Sequence, residues 1–185
     1  AARGSGLMSR LDHAARLKSI ETAKNLAIGV NIFINFNPRF ISDSLADLAE
    51  TMEAVRESGV APHRFVFEVV ESEEIHDVGK LHEIIDYCRK TGCKVALDDV
   101  GAGYNSLNNL PEVRPDFIKL DMELVKDVQT DHYKSRVASK LLELARELEV
   151  NSIMEGIETS ESWKWVRQNG ADFSQGYLFA KPAAI

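Results

Sequence analysis

Short apolar runs rich in β-branched and aromatic residues recur along the chain, and a longer amphipathic segment follows nearly every one. The runs occupy residues 31–36, 64–70, 94–99, 116–121 and 151–155, with a weaker one at 173–179. Strands of nearly continuous apolar character are typical of parallel sheets that helices cover on both faces. The pattern therefore restricts the chain to parallel α/β folds, either an open doubly wound sheet or a (β/α) barrel.

The segments around these runs have helical periodicity, at roughly 8–27, 46–59, 78–92, 133–150 and 160–170. A complete barrel of this class has eight strands in about 250 residues. This chain shows about six strand runs and opens on a helix. We therefore expect residues 1–185 to form one partial domain, a TIM-like (β/α) barrel that is incomplete at the N-terminus and lacks the first strand region.

The charge balance limits the partners of the chain. The formal net charge is −7 and the sequence pI is about 5.3, which argues against binding to duplex nucleic acid or to an anionic membrane surface. No signal peptide or membrane-spanning apolar run is evident, so we expect a cytoplasmic protein or a cytoplasmic part of a larger one. Cys88 and Cys93 match neither a disulfide framework nor a zinc motif, and we expect two reduced, buried thiols.

Polar side chains recur at the carboxyl ends of the predicted strands, where parallel α/β folds place their active sites. A single acid at such a position is usually a solvated cap, but a series of them indicates a shared site. The candidates are Asn35, Glu68, Glu71, Asp98, Asp99, Lys119, Asp121, Glu155 and Glu158, and Gln175 lies in the last predicted strand.

Several of these acids need a counter-charge. Glu68 and Glu155 lie in apolar surroundings, where an unpaired carboxylate costs several kcal/mol. Asp98 and Asp99 are adjacent, so they reach one centre only if the strand ends there and the backbone turns, as Gly101 and Gly103 would permit. Carboxylates with an Asn oxygen suit Mg²⁺ or Mn²⁺, and two bridged ions would form a phosphodiester-cleaving centre.

Six motifs in order resemble those of the EAL domain family, the bacterial module that hydrolyses cyclic di-GMP. They extend over essentially the whole chain, and their order makes the resemblance specific although each motif alone is weak. The motifs are INFNP (34–38), FEVVES (67–72), LDDVGAGYNSL (97–107), IKLD (118–121), MEGIET (154–159) and SQGYLFAKP (174–182).

The resemblance implies a two-metal phosphodiesterase that gives the linear dinucleotide pGpG in second-messenger signalling. It implies two Mg²⁺ or Mn²⁺ ions held by Asn35, Glu68, Asp98, Asp99 and Glu155, with Asp98 bridging them. It also implies catalytic or supporting roles for Lys119, Asp121, Glu71 and Glu158, and a substrate-binding role for Gln175. A homodimer through residues 99–106 and the following helix, and sensory or cyclase domains in the parent protein, are further expectations.

The sequence departs from the family pattern in two ways. The Glu-Ala-Leu motif is absent before Asn35, and the Glu-Ala-Val at 53–55 lies in a predicted helix instead. We therefore expect a truncated piece that lacks one ligand and is poorly active by itself. Val100 and Ala102 stand where the family usually has Phe and Thr, in the loop that governs metal loading and dimer contact.

Three alternatives remain open. The first is an EAL-like receptor that binds cyclic di-GMP without cleaving it, and the second is a barrel aldolase that uses an uncharged Lys119 as a Schiff base. A carboxylate at Asp121 would favour the charged lysine instead. The third is a scaffold with a patch of Trp163, Trp165 and Phe173. A dinucleotide-binding fold is not favoured, because GAGYNS lacks a third glycine and opens no clear helix.

Overall fold

A computed structural model of the chain describes residues 2–36, 46–70, 78–102 and 106–183. The chain divides into two compact units, residues 1–95 and residues 96–185. In both units helices alternate with parallel strands, as the sequence predicts. None of the helices in the described part of the chain combines the length and the apolar character that a bilayer-spanning segment needs.

Within its described residues, the first unit contains two parallel strands and three α-helices. Its elements are α1 (Ala2–Ala23), β1 (Ile32–Phe36), α2 (Ala46–Glu57), a 3-10 turn (Pro62–Arg64), β2 (Phe65–Val70) and α3 (Val78–Lys90). The register pairs Ile32 with Phe65 and Phe36 with Val69. The rings of Phe36 and Phe67 meet edge to face, with 6.0 Å between their centroids, and both are fully buried in the core of this unit.

The second unit carries the carboxyl end of β3 and the elements that follow it. They are β3 (Lys94–Val100), α4 (Ser106–Val113), β4 (Phe117–Leu120), α5 (Met122–Val125), α6 (His132–Glu147), β5 (Asn151–Met154), α7 (Ser160–Gln168) and β6 (Phe173–Ser174). Parallel pairing joins β3 to β4, β4 to β5 and β5 to β6. The carboxyl ends of neighbouring strands therefore lie at one edge.

Side-chain caps fix where the longer helices of this unit begin. The Asp131 carboxylate accepts hydrogen bonds from the backbone N–H groups of Tyr133 and Lys134 at the start of α6. The Thr159 hydroxyl accepts one from the Ser162 N–H at the start of α7. These bonds satisfy donors that the first helical turn leaves free.

The six predicted strands are confirmed, but several details were wrong. The last strand covers only Phe173–Ser174, so Gln175 follows it rather than lying within it. Helix α4 begins at Ser106, close behind the Gly101 stretch that we expected to open no clear helix. The short helix α5 was not predicted either. Both have few residues and α4 contains Pro111, so neither produces a recognisable helical period.

Candidate metal centre

Three carboxylates meet at the carboxyl edge of the second unit. Asp98, Asp99 and Glu155 each offer an oxygen atom, and these oxygen atoms lie within 4.8 Å of one another. The two aspartates belong to β3, and Glu155 directly follows β5. Strand β4 lies between β3 and β5 and contributes Lys119 to the same edge.

An irregularity in β3 allows both aspartates to join the cluster. The β3–β4 register shifts between Leu97 and Val100, and Asp99 adopts a left-handed backbone conformation with φ of 56°. The Asp99 N–H donates a hydrogen bond of 3.0 Å to Asp98 Oδ1. We expected the strand to end at these acids, but β3 continues through Val100, so a local bulge rather than a strand end brings the adjacent side chains together.

Lys119 supplies the positive charge of this cluster. Its Nζ atom lies 2.9 Å from Asp98 Oδ1 and 2.8 Å from Glu155 Oε1. The three side chains are between 8% and 16% exposed, so solvent screens these ion pairs only weakly. Two carboxylates at this distance favour the ammonium form, which argues against Lys119 as a Schiff-base nucleophile.

Burial and neighbouring negative charges raise the pKa values of two of the three carboxyl groups, Glu155 and Asp99. Burial raises the pKa of Glu155, the Lys119 ammonium opposes this rise, and the nearby Asp98 and Asp99 charges add to it. Burial also raises the pKa of Asp99, and the charges of Asp98 and Asp121 raise it further. Three carboxylates face one ammonium, so hard oxygen donors and an excess of negative charge make the cluster suitable for a divalent cation.

Asp121 and Gln175 have backbone and capping contacts at the rim of the cluster. The Asp121 carboxylate accepts a hydrogen bond from the Glu123 N–H and so caps α5, while its own N–H bonds to the Val100 carbonyl. The Gln175 N–H donates to the Met154 carbonyl, and the Gln175 carbonyl accepts from the Ile157 N–H. Asp121 and Gln175 therefore hold the backbone on either side of the acidic cluster.

Two glycines that the sequence analysis did not single out, Gly156 and Gly176, lie in close contact with neighbouring residues beside the acidic cluster. A Cβ atom on Gly156 would lie 2.6 Å from Met122 Cβ, and the Gly156 φ of 67° favours glycine. A Cβ on Gly176 would lie 2.2 Å from the Ile157 carbonyl oxygen. Gly156 lies in MEGIET and Gly176 in SQGYLF, but the sequence carries no local signal of this close approach.

The other predicted site residues are distributed as follows. Asn35 on β1 is exposed and lies directly opposite Glu68 on β2, which is buried at 5% exposure. Glu158 is exposed on the connection to α7. Glu71 and Gly103 lie outside the described residues. Cys88 and Cys93 are free and buried, as expected.

The sequence matches the EAL domain family over residues 1–182, and the chain therefore belongs to this family. The probable cyclic di-GMP phosphodiesterase PdeG of Escherichia coli is 34% identical over 161 residues, which are 86% of this chain and 31% of PdeG. The blue light- and temperature-regulated antirepressor BluF of the same species is 28% identical over 174 residues, 91% of this chain and 43% of BluF. The chain thus spans less than half the length of these curated relatives.

A solved structure of high similarity is that of Klebsiella pneumoniae BlrP1 in complex with manganese and cyclic di-GMP at pH 9.0. It is 30% identical, has a TM-score of 0.88, and the match covers 95% of this chain and 45% of BlrP1. A calcium and cyclic di-GMP complex of BlrP1 at pH 8.0 matches with a TM-score of 0.87. The EAL family and its TIM-like barrel class, both predicted from the sequence, are confirmed.

Proposed function

We propose that this chain belongs to a bacterial enzyme that hydrolyses cyclic di-GMP to pGpG in second-messenger signalling. The observation that carries the proposal is the cluster of three carboxylates around Lys119 at the carboxyl edge of the strands. Similarity to a probable cyclic di-GMP phosphodiesterase and to a manganese–cyclic di-GMP complex supports this choice of substrate. We also propose a cytoplasmic location, a homodimer, and sensory or cyclase domains in the parent protein.

We assign the metal-binding role to five oxygen-bearing residues: Asp98, Asp99, Glu155, Asn35 and Glu68. Hard carboxylate and amide oxygens suit Mg²⁺ or Mn²⁺, and we propose two such ions. When bound, the ions would offset the negative charge of the phosphodiester and make a coordinated water more acidic.

The other residues orient these groups and the substrate. Lys119 holds Asp98 and Glu155 toward each other, and its ammonium offers positive charge to a phosphate oxygen. Asp121 adds negative charge beside Asp99 and caps α5. We assign to Glu158 and Gln175 contacts with substrate or water, and to Glu71 the anchoring of residues 99–106.

The test compares two aspartates that share a backbone conformation. Asp99 and Asp127 both have positive φ, 56° and 62°, which Asn tolerates as well as Asp. Only Asp99 belongs to the cluster. Each variant is incubated with cyclic di-GMP and Mg²⁺ or Mn²⁺, and linear product is followed by chromatography, both for this chain and for the proposed parent protein.

We expect Asp99→Asn to lower turnover at least a hundredfold and Asp127→Asn to leave it within twofold. A hundredfold loss is typical for removal of a charged group that acts only at the reacting centre. Equal turnover of the two variants would contradict the assignment of Asp99. The absence of turnover in every form, with cyclic di-GMP binding retained, would contradict the enzyme proposal.

A second candidate function is a receptor that binds cyclic di-GMP without cleaving it. Similarity to BluF, which is named an antirepressor rather than a phosphodiesterase, supports a function other than cleavage. Val100 and Ala102, which depart from the usual family residues, are consistent with it. Calorimetric binding of cyclic di-GMP with no linear product over extended incubation would support the receptor.

A further inference from the structure

The end of α3 brings the two cysteines of the chain together. Helix α3 ends at Lys90, and Gly92 then adopts a left-handed conformation with φ of 86°. The Cys93 N–H donates to the Cys88 carbonyl at 3.0 Å, and the Gly92 N–H donates to the Arg89 carbonyl at 2.9 Å. This pair of bonds is a Schellman motif, in which the side chains at the positions of Cys88 and Cys93 commonly touch.

The surroundings of the two thiols are tight and largely apolar. Cys88 is 1% exposed and Cys93 5% exposed. The Thr91 hydroxyl donates to the Cys88 carbonyl at 2.7 Å, lies 3.7 Å from Cys93 Sγ and 3.2 Å from Met52 Sδ. Burial and the neighbouring Cys93 raise the pKa of the Cys88 thiol to about 12, so the pair stays protonated and reacts slowly.

We propose that Cys88 and Cys93 form a redox-modification site, a reversible intramolecular disulfide whose geometry the Schellman motif provides. This inference does not depend on the phosphodiesterase proposal. The chemical class that oxidises the pair is a low-molecular-weight disulfide. Neither residue takes part in the acidic cluster, and both are free thiols in the present structure.

The reaction is two successive thiol–disulfide exchanges. The Cys93 thiolate, which is the more exposed, attacks one sulfur of the oxidant and displaces one thiolate, leaving a mixed disulfide on Cys93. The Cys88 thiolate then attacks Cys93 Sγ, forms the Cys88–Cys93 bond and displaces the second thiolate. The two displaced thiolates take up the protons lost by the cysteines, so the protein loses two electrons and the oxidant is reduced to two thiols.

The bond would join the last turn of α3 to the residue that precedes β3. Strand β3 carries Asp98 and Asp99 toward its other end. Oxidation would therefore prevent the first residues of β3, the strand that positions both aspartates, from separating locally from the end of α3. Because the motif already fixes the backbone between the cysteines, the folded chain loses less conformational entropy on closing this bond than the unfolded chain does.

The experiment measures the oxidation equilibrium of the pair in the folded and the unfolded chain. The protein is equilibrated with mixtures of oxidised and reduced dithiothreitol, with or without urea, and then quenched with acid. Trypsin releases LHEIIDYCR (81–89) and TGCK (91–94), which mass spectrometry detects as one linked species when the bond is present. Cys88→Ser and Cys93→Ser are the controls in which no linked species forms.

We expect the folded chain to become half oxidised at a ratio of oxidised to reduced reagent at least about tenfold lower than the unfolded chain needs. This is roughly the effect of having one residue's backbone fixed in advance. A ratio equal to that of the unfolded chain, or higher, would overturn the proposal, because the motif would then not bring the sulfur atoms within bonding reach.

Two glycine variants separate the motif from general destabilisation. Gly92→Ala strains the left-handed residue between the cysteines, whereas Gly59→Ala strains an equivalent residue after α2, with φ of 71° and open space around it. We expect Gly92→Ala to remove most of the tenfold difference between the folded and unfolded chains in the reagent ratio at half oxidation. We expect Gly59→Ala to retain this difference. Loss of this tenfold difference in both variants, or in neither, would contradict the role of the Schellman motif.

Discussion

Replacement of Lys119 by methionine tests whether the acidic cluster depends on its internal counter-ion. Methionine has a similar length, so the change removes charge with little loss of packing. Lys119 pairs with both Asp98 and Glu155, and its side chain is 8% exposed. Removing one partner of a buried ion pair typically costs about 3–5 kcal/mol, because the other charge is left uncompensated.

The size of this loss should depend on pH. Without the ammonium, the pKa values of Glu155 and Asp99, which burial already raises, increase further. A carboxyl group whose folded-state pKa exceeds its unfolded value stabilises the folded chain while protonated, and this stability is lost as pH rises through the folded pKa. The variant should therefore lose up to about 1.4 kcal/mol per pH unit and per proton on going from pH 5 to pH 8.

Urea denaturation of Lys119→Met and wild type at pH 5 and pH 8 measures both effects. Lys140→Met is the matched control, since Lys140 pairs with Glu143 on the surface and is 77% exposed. We expect the control to change the free energy of unfolding by less than about 1 kcal/mol. Mn²⁺ should restore Lys119→Met more than it stabilises wild type. If Lys119→Met behaves like the control at pH 8, the argument that the cluster needs a counter-ion is refuted.

Three further measurements test other parts of the structure. Gly176→Ala should destabilise the chain by at least about 1–3 kcal/mol in urea denaturation, because its Cβ would meet the Ile157 backbone at 2.2 Å; a near-neutral effect would contradict this packing. Native Cys88 should react with iodoacetamide at pH 8 at least a hundredfold more slowly than in urea, since its pKa is about 12, and equal rates would show that the thiol is not buried. Mn²⁺ affinity, measured by calorimetry, should fall as pH drops from 7 to 5, because protons compete for Asp99 and Glu155, and an unchanged affinity would place the ion elsewhere.

The strands and the location of the site were predictable because both depend on local pattern. Apolar runs predicted the six strands that the described residues form. Polar residues at the ends of these runs predicted the sheet edge at which Asp98, Asp99 and Glu155 meet. The pairing of Lys119 with Asp98 and Glu155 follows from strand order, which places β4 between β3 and β5. A nearly continuous apolar run is visible in the sequence wherever a parallel strand must be buried on both faces.

The features that escaped prediction depend on contacts distant in sequence. The bulge at Asp99 has no sequence signal, because a left-handed aspartate looks like any other and the register shift is a property of the β3–β4 pair. Gly156 and Gly176 matter only because Met122 and the Ile157 backbone approach them. The sequence therefore showed that two adjacent acids needed a special backbone, but not which backbone supplies it.

The charge of the cluster bears on how many ions it can hold. Asp98, Asp99 and Glu155 together carry three negative charges when ionised, and Lys119 cancels one of them. The remaining two charges match one divalent cation, so a second ion needs ligands beyond these three residues. The proposal of two ions consequently depends on Asn35 and Glu68, and Glu68 is the only one of the two that brings negative charge. Among the proposed ligands outside the three-carboxylate cluster, Glu68 is therefore the one on which the charge balance of a second cation depends.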